Sequence, residues 1–113
     1  MRSTIANAVL QPDELRELRL VHKALADVNR LRIVRRLAAG EATVTELVAQ
    51  VGLSQPLVSW HVGRLRHAGL VTTRRAGRET FCRLRPQAFD EFAARQATVL
   101  GIAGALARDE AAS

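Results

Sequence analysis

Only Gly52 and Leu53 separate two short amphipathic stretches, TVTELVAQV and SQPLVSWHVGRLRH, and no other feature constrains the fold as tightly. Each stretch carries its own boundaries. Thr43 or Thr45 can cap the first, Leu47, Val48 and Val51 form its apolar side, and Gly52 ends it. Ser54 can cap the second, which runs from about Gln55 to His67 and ends at Ala68 and Gly69. Val58, Val62 and Leu65 repeat at helical spacing on its inner side. Two short helices joined by so tight a turn form a helix-turn-helix. Any corner between helices shows that pattern, so the flanking sequence decides.

Upstream, PDELRELRLVHKALA opens at Pro12 with acids in its first turn and sets Leu15, Leu18, Val21 and Leu25 on one face of a helix. DVNRLRIVRRLAAG reads as a second helix, capped by Asp27 or Asn29 and stopped by Gly40, with Leu31, Val34, Leu37 and Ala38 inward. Downstream, LVTTR and ETFCRLR alternate around RAGR, which predicts a β-hairpin with a loop of three or four residues. Its tip carries Arg74, Arg75 and Arg78. A helix-turn-helix followed directly by an arginine-tipped hairpin is a winged helix. From Pro86 to about Ala107 a last helix sets Phe89, Phe92, Gln96, Val99, Ala103 and Leu106 in a seam at 3-4 spacing. Such a seam packs on its own core or against a second copy, and its length on a terminal helix favours the copy. The expected fold is therefore mainly α with a small β-hairpin wing: four helices, the hairpin and a fifth helix. Residues 1–11 read as a flexible arm, 12–107 as one domain and 108–113 as a tail.

The 113 residues suffice for one modest core but are few for an enzyme with a deep cleft. A net charge of +6 calls for an anionic partner, nucleic acid or a membrane surface. The charge is localised. Between Ser54 and Arg85 there are seven arginines against one acid, Glu79, while the flanking segments carry +2 and −2. No apolar run approaches the roughly 18 residues of a membrane span. The N-terminus lacks the apolar core of a secretory signal. The expected location is the cytoplasm, with no membrane partner. Cys82 is the single cysteine, so no disulfide or dithiol switch forms within one chain, and it reads as a small strand hydrophobe. No Ser/His/Asp set, paired carboxylates or Gly-rich phosphate loop points to an enzyme.

The second helix of the helix-turn-helix turns Gln55, Pro56, Ser59, Trp60, Gly63 and Arg64 outward. A major groove admits one α-helix, and glutamine near the helix start can pair with adenine while arginine can reach guanine or phosphate. Ser54 caps the end that would face a backbone phosphate. Trp60 either packs on thymine methyls or a sugar, or fills the gap between helix and wing. His61 lies nearer the buried side, where a hydrogen-bonded structural role is the simpler one. Wing arginines suit the flanking backbone or minor groove. One short reading helix per chain implies a dimer on an inverted repeat.

Three segments, KALADVNRLRIVRRL, TVTELVAQVGLSQPLVSWHVGRLRHAGLV and RRAGRETFCRL, resemble the arsenical-resistance repressor family, ArsR/SmtB, across about residues 21–92. The resemblance implies a homodimeric repressor joined through its first and last helices. That places Leu15 and Leu18 at the interface with the seam of the last helix. It also implies DNA contacts at Ser54, Gln55, Ser59, Trp60, His61 and Arg64 together with the wing arginines. Leu57 and Trp60 depart from the small or polar residues common at their positions. The family's ELCVCDL metal motif reads EATVTEL here, so Thr43 and Thr45 replace the cysteines and offer no soft donor. A second family site uses Asp and His on the last helix, but no histidine follows His67 and only Asp90 and Glu91 remain. The expectation is a repressor of double-stranded DNA with no cofactor, neither family metal site and no legible small-molecule inducer. The alternatives are a repressor sensing metal or oxidant elsewhere, through inter-subunit histidines or Cys82, and an interaction module that has lost DNA binding.

Overall fold

Asp27, Thr43 and Ser54 each accept the backbone N–H three residues on, and so fix where a helix begins. They organise the computed structural model, which describes residues 12–112; the arm expected over residues 1–11 lies outside these. The elements are α1 (Pro12–Leu25), α2 (Val28–Ala38), β1 (Ala42–Thr43), α3 (Val44–Val51), α4 (Gln55–His67), β2 (Val71–Ala76), β3 (Glu79–Leu84), α5 (Pro86–Val99) and α6 (Ile102–Ala112).

Of the paired candidates for caps, Asp27 and Thr43 serve, while Asn29 and Thr45 lie inside their helices. Thr43 forms a capping box: its Oγ1 accepts from Glu46 N at 3.1 Å, and its own N–H donates to Glu46 Oε1 at 3.0 Å. Thr43 is also the last residue of β1, so strand and helix join without a linker. β1 lies antiparallel on β3, with Ala42 opposite Cys82 and Thr43 opposite Phe81, and the sheet order is β1-β3-β2. The sequence pattern had no signal for a two-residue strand.

The hairpin is tighter than expected. β2 and β3 stay paired out to Ala76 and Glu79, leaving Gly77 and Arg78 as a two-residue loop. Gly77 has φ 63° while no non-glycine residue among those described has positive φ, the combination of a type II′ turn. Arg75 and Ala76, read as loop, are strand.

Ile33, Leu47, Val58, Leu65, Leu70, Val71 and Cys82 are fully buried at the centre of one core drawn from α2, α3, α4, the loop after α4, and the sheet. On α2 the buried stripe is rotated from the expected one. Ile33 and Leu37 are buried, Val34 is half-buried, and Leu31 and Ala38 face out. Apolar residues occur around much of this helix, and only the packing of α3, α4 and β3 against it selects which stripe is covered.

The helix expected over residues 86–107 is two helices. Gly101, with φ 74°, breaks the path after Leu100, and α6 then runs on to Ala112 through residues read as tail. Glycine adopts this left-handed conformation without steric cost, so a 3-4 apolar pattern can pass across a break.

Truncating Leu47 to alanine should lower the unfolding free energy by about 3 kcal/mol, measured by urea titration. Hydrogen bonds from backbone N–H groups hold the Asp27 and Glu46 carboxyls below their ordinary values of 3.8 and 4.5. Their stabilisation is whole above those values and is lost as pH falls through the lower folded ones. The urea midpoint should therefore drop on acidification below pH ~4.5. It should drop less steeply in the Asp27→Asn, Glu46→Gln double variant.

Candidate nucleic-acid interface

The inward stripe of α4, Val58, His61, Val62 and Leu65, fixes the helix's rotation and leaves Ser54, Gln55, Pro56, Leu57, Ser59, Trp60 and Arg64 exposed. At the start of the helix, Ser54 Oγ accepts from Leu57 N at 3.4 Å, and Pro56 has no N–H. Of the first three helical residues, this leaves the Gln55 amide as the donor available to a phosphate. Gly63, half-buried, has nothing within 4 Å of the place where a Cβ would stand.

Trp60 is 55% exposed and does not fill a gap to the wing. Its ring is bounded by cations and an imidazole. The Arg30 and Arg64 guanidinium carbons lie over it at 5.5 and 5.9 Å, and His61 meets it edge-on at 5.1 Å. His61 itself, expected among the DNA contacts by family resemblance, is turned inward, 5% exposed. Arg30 Nη1 donates to its Nδ1 at 3.0 Å. A guanidinium only donates, so Nδ1 is the unprotonated nitrogen.

The wing arginines are not equivalent. Arg74 lies over the Phe81 ring at 4.3 Å and forms an ion pair with Glu41 at 3.0 Å, so its charge is partly matched at the side of the wing. Arg75 reaches Thr80 Oγ1 at 3.5 Å, and Arg78 sits in the turn; both are exposed at the tip. Glu79, the one acid of this segment, accepts from Thr45 Oγ1 at 3.2 Å, and Arg66 donates to Thr73 Oγ1 at 3.4 Å. These contacts tie the hairpin to α3 and α4.

The seam residues divide between two surroundings. Phe89 packs on the core, Phe92 meets the His22 ring edge-on at 5.0 Å, and Gln96 shares a hydrogen bond with His22 Nε2. Arg95 pairs with Glu17 alongside, and Leu18 is buried within the chain. α5 therefore packs on α1 of its own chain, and Val99 is half-buried. Leu15, Ala103 and Leu106 are exposed, as is every residue of α6.

The residues at the family's metal positions do not fit a soft metal. Thr43 is 8% exposed with its hydroxyl in the capping box, and Thr45 is engaged by Glu79. Among the described residues no three His, Cys, Asp or Glu side chains come together to hold a metal ion. Arg30 and Glu41 were not legible as site residues. Their partners, His61 and Arg74, are 31 and 33 positions away, beyond any local pattern.

Residues 27–73 match the family described as "Bacterial regulatory protein, arsR family". The chain is 38% identical over 91 residues to the probable mercury resistance operon repressor of Streptomyces lividans, covering 80% of this chain and 67% of that protein. It is 47% identical over 64 residues to the HTH-type transcriptional regulator KmtR of Mycobacterium tuberculosis, covering 57% and 49% of the two. The chain spans about half the length of most curated relatives it matches. Its structure is similar to the homodimeric winged helix-turn-helix DNA-binding domain of a possible ArsR-family regulator from Mycobacterium bovis. That similarity has a TM-score of 0.61 and 30% identity, over 81% of this chain and 82% of that one.

Burial, and secondarily the charge of Glu41, push the Cys82 thiol from 9.0 up to about 11. With about a hundredfold less thiolate at neutral pH, its labelling by a soluble thiol reagent should be at least that much slower in the native protein than in urea.

Proposed function

This chain belongs to the arsR family of bacterial regulatory proteins, and we propose that it is a dimeric, sequence-specific DNA-binding repressor that acts in the cytoplasm and is not an enzyme. The observation that carries the reading is the exposed face of α4, with its polar and aromatic residues, beside a wing whose tip presents Arg75 and Arg78. α4 enters a major groove. Gln55 and Ser59 read base edges, Trp60 and Leu57 cover thymine methyls or sugar, and Arg64 reaches guanine or phosphate. Ser54 and Pro56 shape the helix start that meets the backbone. Arg75 and Arg78 follow the flanking backbone, while Arg74, held by Glu41, supports the wing and reaches phosphate only at its edge.

Two copies join through the open apolar residues of α6, with Leu15, Val99, Ala103 and Leu106 in the interface. Phe89, Phe92, Gln96 and Leu18 support it from behind, since they already contact the chain's own α1 and core. The M. bovis domain, named as homodimeric, supports the dimer. A twofold dimer reads an inverted repeat whose half-sites lie about one helical turn apart. The threonines at the family's cysteine positions support control by something other than a soft metal at that place.

Trp60 is the only tryptophan, so its emission reports on this face without a label. Titration with duplex DNA from upstream of the protein's own gene should give saturable quenching that weakens with salt. The Arg75→Ala, Arg78→Ala pair removes two arginines from each of the two subunits and should reduce the slope of log affinity against log salt by about 4. If neither this duplex nor a random one binds at low salt, whether by quenching or by anisotropy of labelled DNA, the fold serves another partner. Leu106→Glu should convert the dimer to monomer in sedimentation and weaken binding to the upstream duplex more than to random DNA.

A further inference from the structure

Arg30 lies in the first turn of α2, outside the helix-turn-helix, yet its side chain reaches both α1 and α4. Its backbone N–H donates to Asp27 Oδ1 at 3.1 Å, within α2's own cap. Its Nε donates to Ala24 O at 2.7 Å and its Nη2 to Lys23 O at 3.2 Å, carbonyls in the last turn of α1, where Lys23 O also accepts from Ala26 N at 3.3 Å. A cation at this end also meets the negative pole of the α1 dipole. Its Nη1 donates to His61 Nδ1 on α4, and its planar end lies over Trp60. One guanidinium thus anchors to the end of α1 and presses on two adjacent residues of the DNA-facing helix, one buried and one exposed.

Lysine could not replace it. Three donors of a rigid fork are engaged at once, two toward the end of α1 and one toward α4, whereas an ammonium is a compact point charge without that fork. His61 completes the arrangement from the other side. It is buried, its Nδ1 accepts from Arg30, and its ring edge abuts Trp60. The ring of Trp60 is therefore set by Arg30, His61 and Arg64 before any DNA arrives. A large exposed aromatic held in one place costs less ordering on binding than one free to rotate.

Resting on the DNA-binding reading above, we propose that Arg30 is a positioning residue for sequence recognition: by bridging the end of α1 to His61 and lying over Trp60, it holds the Trp60 ring and the rotation of α4 in the geometry that reads bases. It contacts no base itself. Its effect falls on specific binding and not on the phosphate contacts shared by every duplex.

The test compares wild type with Arg30→Lys on the upstream duplex and on a random duplex of equal length, with Trp60 emission and acrylamide quenching read on the free protein. The expected result is about a tenfold loss on the upstream duplex, the worth of one base contact. Affinity for random DNA and the salt slope should stay within about twofold, because the charge count is unchanged. Free Trp60 should become more accessible to acrylamide. His61→Phe, which removes the acceptor but keeps an aromatic ring in the core, should give the same pattern. Equal losses on both duplexes would make Arg30 a phosphate contact and overturn the proposal. So would an unchanged preference for the upstream duplex, or failure of both variants to fold, since the network would then serve only stability. Should wild type bind no DNA at all, the DNA-binding reading fails. Even then, the quenching of free Trp60 still reports whether Arg30 sets the ring, and an unchanged value would overturn that too.

Discussion

Everything on the exposed side of α4 depends on what is locked on its inner side. Val58 and Leu65 are completely buried and Val62 nearly so, in contact with a core that α2, α3 and the sheet complete. A helix has one rotational setting once such a stripe is covered, and rotating it by one residue would put a polar or charged group into a dry interior. The outward set of Gln55, Ser59, Trp60 and Arg64 is therefore a by-product of packing. Residues can be exchanged on that face without touching the core, while a change to Val58 or Leu65 would disturb all of them together.

The arginine-rich segment is also less uniform than its charge count. Arg74 is matched by Glu41, Arg66 by the hydroxyl of Thr73, and Arg85 donates to the carbonyl of Gly69 at 2.6 Å. Arg64 lies beside Trp60. Arg75 and Arg78 are exposed at the end of the hairpin farthest from the core, and Arg83 is exposed along β3. An excess of +6 over this segment thus divides into arginines that hold the hairpin in place and arginines that face outward. Only the second kind would contribute fully to salt-dependent attraction.

What could be read in the sequence was local, and what could not was relational. The starts of α1, α3 and α4 were legible because Pro12, Thr43 and Ser54 act on residues within one turn. The face of α4 was legible because Val58, Val62 and Leu65 repeat at helical spacing, although Leu57 and Trp60 are apolar on the exposed side. On α2 the apolar residues surround more of the circumference, so Leu31 looked inward and Ile33 did not, and only the neighbouring elements settle the matter. The break at Gly101 was hidden because the 3-4 repeat continues through it. The inward turn of His61 agreed with its position near the buried stripe, but its partner Arg30 belongs to another helix. A pair separated by 31 residues leaves no trace in composition or periodicity.

Thr43 occupies two roles at once, as the strand residue opposite Phe81 of the wing and as the cap of the first helix of the helix-turn-helix. No joint lies between them. The hairpin and the helix pair consequently behave as the two jaws of a fixed caliper, with an opening set by backbone hydrogen bonds. On the DNA-binding reading, a duplex held by both jaws would bring its groove spacing to the protein, since Thr43 joins strand to helix without a linker. Sequence steps whose grooves already have that spacing, or deform to it cheaply, would be favoured at positions that no side chain touches.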